Sequence, residues 1–118
     1  MYLEDNFRKV HGYSLPPHTD PSHYTEAGIH ELLASERFGN ICEKDVFAEY
    51  IHEVKPDCIF HLAAQPIIRR SYRMPVETFE TNVMGSIYLM DALRTLSHPC
   101  TVVMITSDKC YLNTNQIW

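Results

Sequence analysis

Val102-Val103-Met104-Ile105-Thr106-Ser107-Asp108-Lys109-Cys110-Tyr111 is the stretch that decides how this chain is read. Its first half is a continuous apolar, β-branched run of the length of a buried strand. Its second half turns at once to two hydroxyls, a carboxylate and an ammonium. In an open parallel sheet, ligands collect at the carboxyl ends of the strands. Ser107, Asp108 and Lys109 therefore stand where chemistry is done, and a carboxyl beside an ammonium and a hydroxyl suits acid–base work on a polar substrate. The same residue types also make an ordinary solvated turn, so the tip needs support from the rest of the chain.

Upstream, the pattern predicts a long helix over Thr78–Leu96, with Phe79, Val83, Ile87, Met90 and Leu93 on one stripe and Tyr88, Leu89 and Ala92 widening it. That is more apolar surface than one sheet contact uses. Two packing partners are expected, the sheet and a second subunit, with Tyr88 and Leu89 as the positions of association. Asp57–Ala64 reads as a second buried strand, Cys58-Ile59-Phe60-His61-Leu62-Ala63-Ala64, with His61 as a core histidine. Gln65–Pro75 reads as an irregular connection carrying Arg69, Arg70 and Ser71.

Val46, Phe47, Tyr50, Ile51 and Val54 mark an amphipathic helix, with Glu43 and Asp45 where the helix dipole favours negative charge and Pro56 as its stop. Pro16–Phe38 reads as a long polar loop with a helical turn near Ala27–Leu33. His11–Leu15 is a short strand, and Leu3, Phe7 and Val10 are the tail of a helix. Strands separated by amphipathic helices predict a parallel sheet with right-handed crossovers, an α/β layer fold. Three strands make only a modest core, as expected of a piece of a larger domain.

Composition narrows the partners. The chain has 118 residues, 45% hydrophobic, and a net charge of −5. No basic run interleaves with aromatics, which argues against nucleic acid. The apolar stretches are too short and too interrupted for a membrane span, and no signal peptide is expected before the first structured segment, so a cytoplasmic location is anticipated. The four cysteines and seven histidines show no metal-ligand spacing, so no metal site is expected and the thiols read as reduced.

The motifs His61-Leu62-Ala63-Ala64-Gln65-Pro66, Arg69-x-Ser71-x-x-x-Pro75 and Thr81-Asn82-Val83-x-Gly85 resemble those of the extended short-chain dehydrogenase/reductase family. The ending Ile105-Thr106-Ser107-Asp108-Lys109-Cys110-Tyr111 is similar to that of its sugar-nucleotide 4,6-dehydratases, and with Gly12-Tyr13-Ser14-Leu15-Pro16-Pro17 it points to their CDP-glucose branch. The resemblance implies that residues 1–118 form part of a doubly wound parallel-sheet Rossmann domain, without its first strand and without the C-terminal substrate domain. The cofactor implied is NAD, in contact with Ser14, Asn40, Ile41, Leu62, Ala63, Ala64, Gln65, Thr81 and Thr106. The substrate implied is a nucleotide sugar, met by Arg69 and Ser71, and the parent protein would be a homodimer through Thr78–Leu96.

In the mechanism the resemblance implies, Ser107 binds the sugar 4-oxygen, Asp108 protonates the departing 6-hydroxyl and Lys109 helps remove the C5 proton. Asn82 would hold the backbone of the site. Two family motifs, the Gly-rich phosphate loop and Tyr-x-x-x-Lys, do not occur in the sequence, so the chain alone is expected to be inactive with weak NAD affinity. Asn40 replaces the family's aspartate, and its amide oxygen is expected to accept a hydrogen bond from adenine. The rival readings are a UDP-N-acetylhexosamine 4,6-dehydratase, a sugar 4-epimerase, and a non-catalytic partial gene product.

Overall fold

The computed structural model describes residues 9–107, so Asp108, Lys109 and the helix tail expected at Leu3–Val10, apart from Lys9 and Val10, lie outside the described residues. Among the described residues four strands form two parallel pairs. In the first pair β1 (His11–Ser14) lies beside β2 (Ser35–Phe38), with His11 opposite Ser35 and Ser14 opposite Phe38. In the second, β3 (Cys58–His61) lies beside β4 (Thr101–Met104), with Cys58 opposite Thr101 and His61 opposite Met104. Parallel neighbours need long crossovers, and the intervening helices supply them.

The first crossover contains helix α1 (His23–Glu26) and a 3₁₀ turn, Ile29–Leu32. Ser22 caps α1, its buried hydroxyl accepting from the Thr25 N–H at 3.1 Å. The expected long loop over Pro16–Phe38 is thus corrected: its last four residues are a strand. Ser-Glu-Arg-Phe has no apolar run to announce one, because its outward side chains are polar and its place is set by pairing with β1.

Helix α2 (Lys44–Val54) links the two pairs. Its C-cap Lys55 adopts a left-handed conformation and Pro56 follows, so the helix stops where the sequence places the stop. After β3 the connection expected to be irregular contains helix α3 (Ile68–Arg73). The chain then runs without a break through α4 (Pro75–Phe79), a π-turn (Glu80–Met84) and α5 (Gly85–Arg94). The expected strands Asp57–Ala64 and Thr101–Thr106 are both shorter, ending at His61 and Met104. Beyond these points each strand tip becomes a loop.

One core serves both pairs. Ile41, Phe47, Ile51, Leu89 and Ala92 are buried together, with Tyr13 from β1, Ile59 from β3 and Val102 from β4 packed against them. The Tyr13 ring meets Phe47 at 4.9 Å and Tyr50 at 5.5 Å between centroids. The wide apolar face of the long helix divides differently from the expected pattern. Leu89, only 1% exposed, belongs to the internal core and is not available for association, and half-buried Tyr88 packs against that core. The uncovered stripe is Phe79, Val83, Ile87 and Met90, of which Phe79 is 68% exposed.

Candidate nucleotide site

The sequence places its candidate residues at the ends of strands, and the structure rests the loops after β2 and β3 on one segment of helix, with the β4 tip bonded to the end of β3. The loop after β2 is fixed first. The Asn40 side-chain oxygen accepts from the Cys42 N–H at 3.0 Å, closing a small turn, and the Asn40 carbonyl accepts from the Tyr13 hydroxyl at 3.3 Å. Gly39 makes room for that tyrosine, since a Cβ there would lie 2.7 Å from the Tyr13 Cζ. Burial and the negative Glu43 raise the Tyr13 pKa, keeping the hydroxyl a donor. The Asn40 oxygen expected to receive adenine is therefore already engaged, with one lone pair remaining.

The same loop then rests on the π-turn and the start of α5. Ile41 is buried against Gly85, where an added Cβ would come within 2.8 Å of the Ile41 Cγ2. The Cys42 thiol lies 4.0 Å from the Thr81 hydroxyl. The Ile41 side chain is thus committed to the core, and Thr81 faces the β2 loop. Ser14, at the end of β1, is exposed and accepts from the Gly39 N–H through its carbonyl at 2.9 Å.

The loop after β3 is held by the π-turn from the other side. Asn82 brackets the Gln65 backbone, its oxygen accepting from the Gln65 N–H at 2.7 Å and its amide donating to the Gln65 carbonyl at 3.2 Å. The buried Gln65 side chain donates to the Thr78 hydroxyl at 2.9 Å and accepts from the Ile67 N–H at 2.8 Å. These bonds satisfy backbone and side-chain groups that could not stay unpaired in a buried loop. Between the anchors, Leu62, Ala63 and Ala64 are exposed. Local departures from α-helical geometry such as this π-turn occur often at functional sites.

The β4 tip joins through the backbone, the Ile105 N–H donating to the His61 carbonyl at 3.1 Å. Thr106 and Ser107 follow it and are exposed. His61 itself is the buried, satisfied histidine the sequence suggests: its Nε2 is 3.0 Å from the Ser86 hydroxyl, and burial lowers its pKa. Ser86 was not singled out in the sequence. A serine two residues into an apolar helix gives no signal until its partner strand is known.

Arg69 and Ser71 separate. Both lie on α3, and residues two apart do not share a helix face. The Ser71 hydroxyl donates to the Ile68 carbonyl at 2.7 Å, while Arg69 makes no ion pair among the described residues. Arg70 is paired with Glu77 at 2.5 Å. The three described cysteines are free, and no group of three or more metal-ligating side chains occurs among the described residues. No described helix is long and apolar enough to cross a membrane.

Parallel pairs joined by crossover helices, with the loops after β2 and β3 resting on one helical segment, define an α/β domain of the dinucleotide-binding type. The family model described as GDP-mannose 4,6 dehydratase matches residues 22–117. The chain belongs to this family of nucleotide-sugar 4,6-dehydratases within the extended short-chain dehydrogenases/reductases. It is 40% identical over all 118 residues to the CDP-glucose 4,6-dehydratase of Salmonella typhimurium, covering 33% of that protein. It is 36% identical to dTDP-glucose 4,6-dehydratase 1 of Escherichia coli over 78 residues, 59% of this chain and 22% of the relative. Among solved structures, the UDP-glucose-4-epimerase of Stenotrophomonas maltophila with bound NAD superposes with a TM-score of 0.72 at 22% identity, over 91% of this chain and 32% of that one. The fold is therefore Rossmann-like, and the chain spans between about a fifth and a third of the length of these relatives.

Proposed function

We propose that this chain is the dinucleotide-holding segment of a nucleotide-sugar 4,6-dehydratase, one that converts CDP-glucose to CDP-4-keto-6-deoxyglucose. The observation that carries the reading is the Asn82 bracket on Gln65, which fixes an exposed loop of small residues at the end of a parallel strand. Ala63 and Ala64 leave the loop backbone accessible, and a fixed backbone with small side chains fits close approach by an extended cofactor. The 40% identity across the whole chain to a CDP-glucose 4,6-dehydratase supports the choice of substrate.

Leu62–Gln65, Thr81, Thr106 and the loop Asn40–Ile41 would hold NAD, with Ser14 at the ribose end. When bound, NAD supplies a hydride acceptor for C4 of the hexose and a hydride donor for C6. Ser107 binds the 4-oxygen. Lys109 removes the C5 proton, acidified by the adjacent C4 keto group, and Asp108 donates a proton to the departing 6-hydroxyl. A lysine works as a base here only where burial or nearby positive charge lowers its pKa. Of Arg69 and Arg70, the second is paired with Glu77, which leaves Arg69 as the better source of such charge of the two. The substrate assignment of Ser71 is weaker, because its hydroxyl proton is used within the helix. The parent protein would pair with a second copy across Phe79, Val83, Ile87 and Met90, and it would work in the cytoplasm. The 118-residue chain by itself would bind NAD weakly and turn over no substrate.

A full-length dehydratase carrying this sequence, supplied separately with CDP-glucose and a UDP-N-acetylhexosamine, tests the reading. Accumulation of a 4-keto-6-deoxy sugar from CDP-glucose is expected. Formation of the 4-epimer without loss of water would overturn it in favour of an epimerase.

A further inference from the structure

Ser86 lies one helical turn beyond Asn82 and makes two bonds at once. Its hydroxyl donates to the Asn82 carbonyl at 3.1 Å, and its oxygen lies 3.0 Å from the His61 Nε2. A hydroxyl has one proton. With that proton on the Asn82 carbonyl, the His61 Nε2 must carry the hydrogen, so the order is His61 Nε2–H to Ser86 Oγ–H to Asn82 C=O. Asn82 continues the series through its side chain to the Gln65 backbone. His61 is the last residue of β3, and Gln65 closes the loop that follows. We propose that Ser86 is a positioning residue for the dinucleotide loop: its hydroxyl ties the tip of β3 to the π-turn, so that Leu62–Gln65 is pinned at both ends to one stretch of helix. The proposal rests on the functional reading above only in taking this loop as the cofactor loop.

The physical consequence is preorganisation. Three exposed residues held between two fixed ends keep their backbone groups in one arrangement. A loop released at one end populates that arrangement only part of the time, and apparent affinity falls by that fraction. A purely structural role for Ser86 would instead lower stability and leave the loop's protection and the cofactor KM in place.

Two measurements distinguish these roles. In the 118-residue chain, amide exchange at Gln65 is compared with exchange at Ile105, whose N–H bonds to the His61 carbonyl in the β3–β4 ladder. Ser86→Ala should speed Gln65 exchange about tenfold or more with a much smaller change at Ile105, and Ser86→Thr should restore it. His61→Phe keeps the Ser86–Asn82 bond, removes the strand-tip link and should also speed Gln65 exchange, which covers the case that Ser86→Ala fails to fold. In a full-length dehydratase carrying this sequence, Ser86→Ala should raise the KM for NAD about tenfold with kcat nearly unchanged. Unchanged Gln65 exchange in both variants would overturn the relay. Faster exchange with an unchanged KM for NAD would show the relay to be real and the loop's assignment to the cofactor to be wrong.

Discussion

Strand β2 is Ser-Glu-Arg-Phe and strand β4 is Thr-Val-Val-Met, yet each completes a parallel pair of the same length on the same helical layer. The first pair is stapled by polar side chains. The His11 ring bonds the Ser35 hydroxyl at 2.6 Å, Ser35 meets the Tyr50 hydroxyl at 3.1 Å, and Arg37 pairs with Glu53 at 2.6 Å while lying over the Tyr50 ring. Tyr24 bonds Glu36, which pushes the phenol pKa up to about 12. The second pair rests on apolar burial, with Ile59 and Val102 packed against the core that contains Leu89 and Ala92. Polar contacts at a half-exposed edge each contribute little net stability, whereas buried apolar contacts contribute much and tolerate few changes. In the function proposed above the second pair would also carry the chemistry, since its tips lead to the Asn82-bracketed loop and to Ser107.

The sharpest test of that division lies at the β4 tip. In a full-length dehydratase carrying this sequence, Asp108→Asn and Lys109→Met should each lower formation of the 4-keto-6-deoxy product by at least ~100-fold, within the range of acid–base groups. Parental turnover in both variants would move the chemistry away from this pair.

Next in size is the apolar layer. Leu89→Ala should cost about 2–5 kcal/mol in urea unfolding, because its side chain is almost fully enclosed and leaves a cavity. Ile87→Ala, on the exposed stripe of the same helix, should stay within about 0.5 kcal/mol for the monomer. Ile87→Glu should shift a dimeric parent toward monomer in sedimentation. Equal costs at positions 87 and 89 would mean that the helix is rotated from the arrangement described.

A smaller effect is expected in the first pair. Tyr50→Phe removes the hydroxyl at Ser35 while keeping the ring against Tyr13, so a loss of about 1 kcal/mol is expected. A loss as large as that of Leu89→Ala would erase the distinction between the pairs.

The smallest effect is the dependence on pH. Burial lowers the His61 pKa from 6.5, so the unfolded chain binds this proton more readily than the folded one. The neutral ring's contribution is complete above about pH 6.5 and is lost as pH falls toward the depressed folded value. The thermal midpoint should thus fall between pH 7.5 and 5.5 by more in the parent chain than in His61→Phe. Identical slopes would show that the ring is not titrating from a buried state.

The residues of the site were legible to different degrees. Asn82 as holder of the loop backbone, and His61 as a buried histidine, follow from motif and strand pattern, and the structure places them so. Strand β2, helix α3 and the place of Leu89 were misread. Alternation and apolar runs report burial along a local period, whereas β2 is set by a partner strand 24 residues away, and α3 carries too few apolar contacts to show a helical stripe.

By itself the sequence determined the α/β class, which is written in apolar periodicity, and the dehydratase family, through the resemblance of its motifs to those of that family. Only the tertiary structure decided which helix face is buried, that the Asn40 oxygen is turned inward to Cys42, and that Ser86 joins His61 to the π-turn. The first and last depend on distance and direction between segments far apart in the chain, and the second on the direction of one side chain within a turn. Hydrogen bonds are sensitive to both, and neither can be read from spacing along one strand or helix.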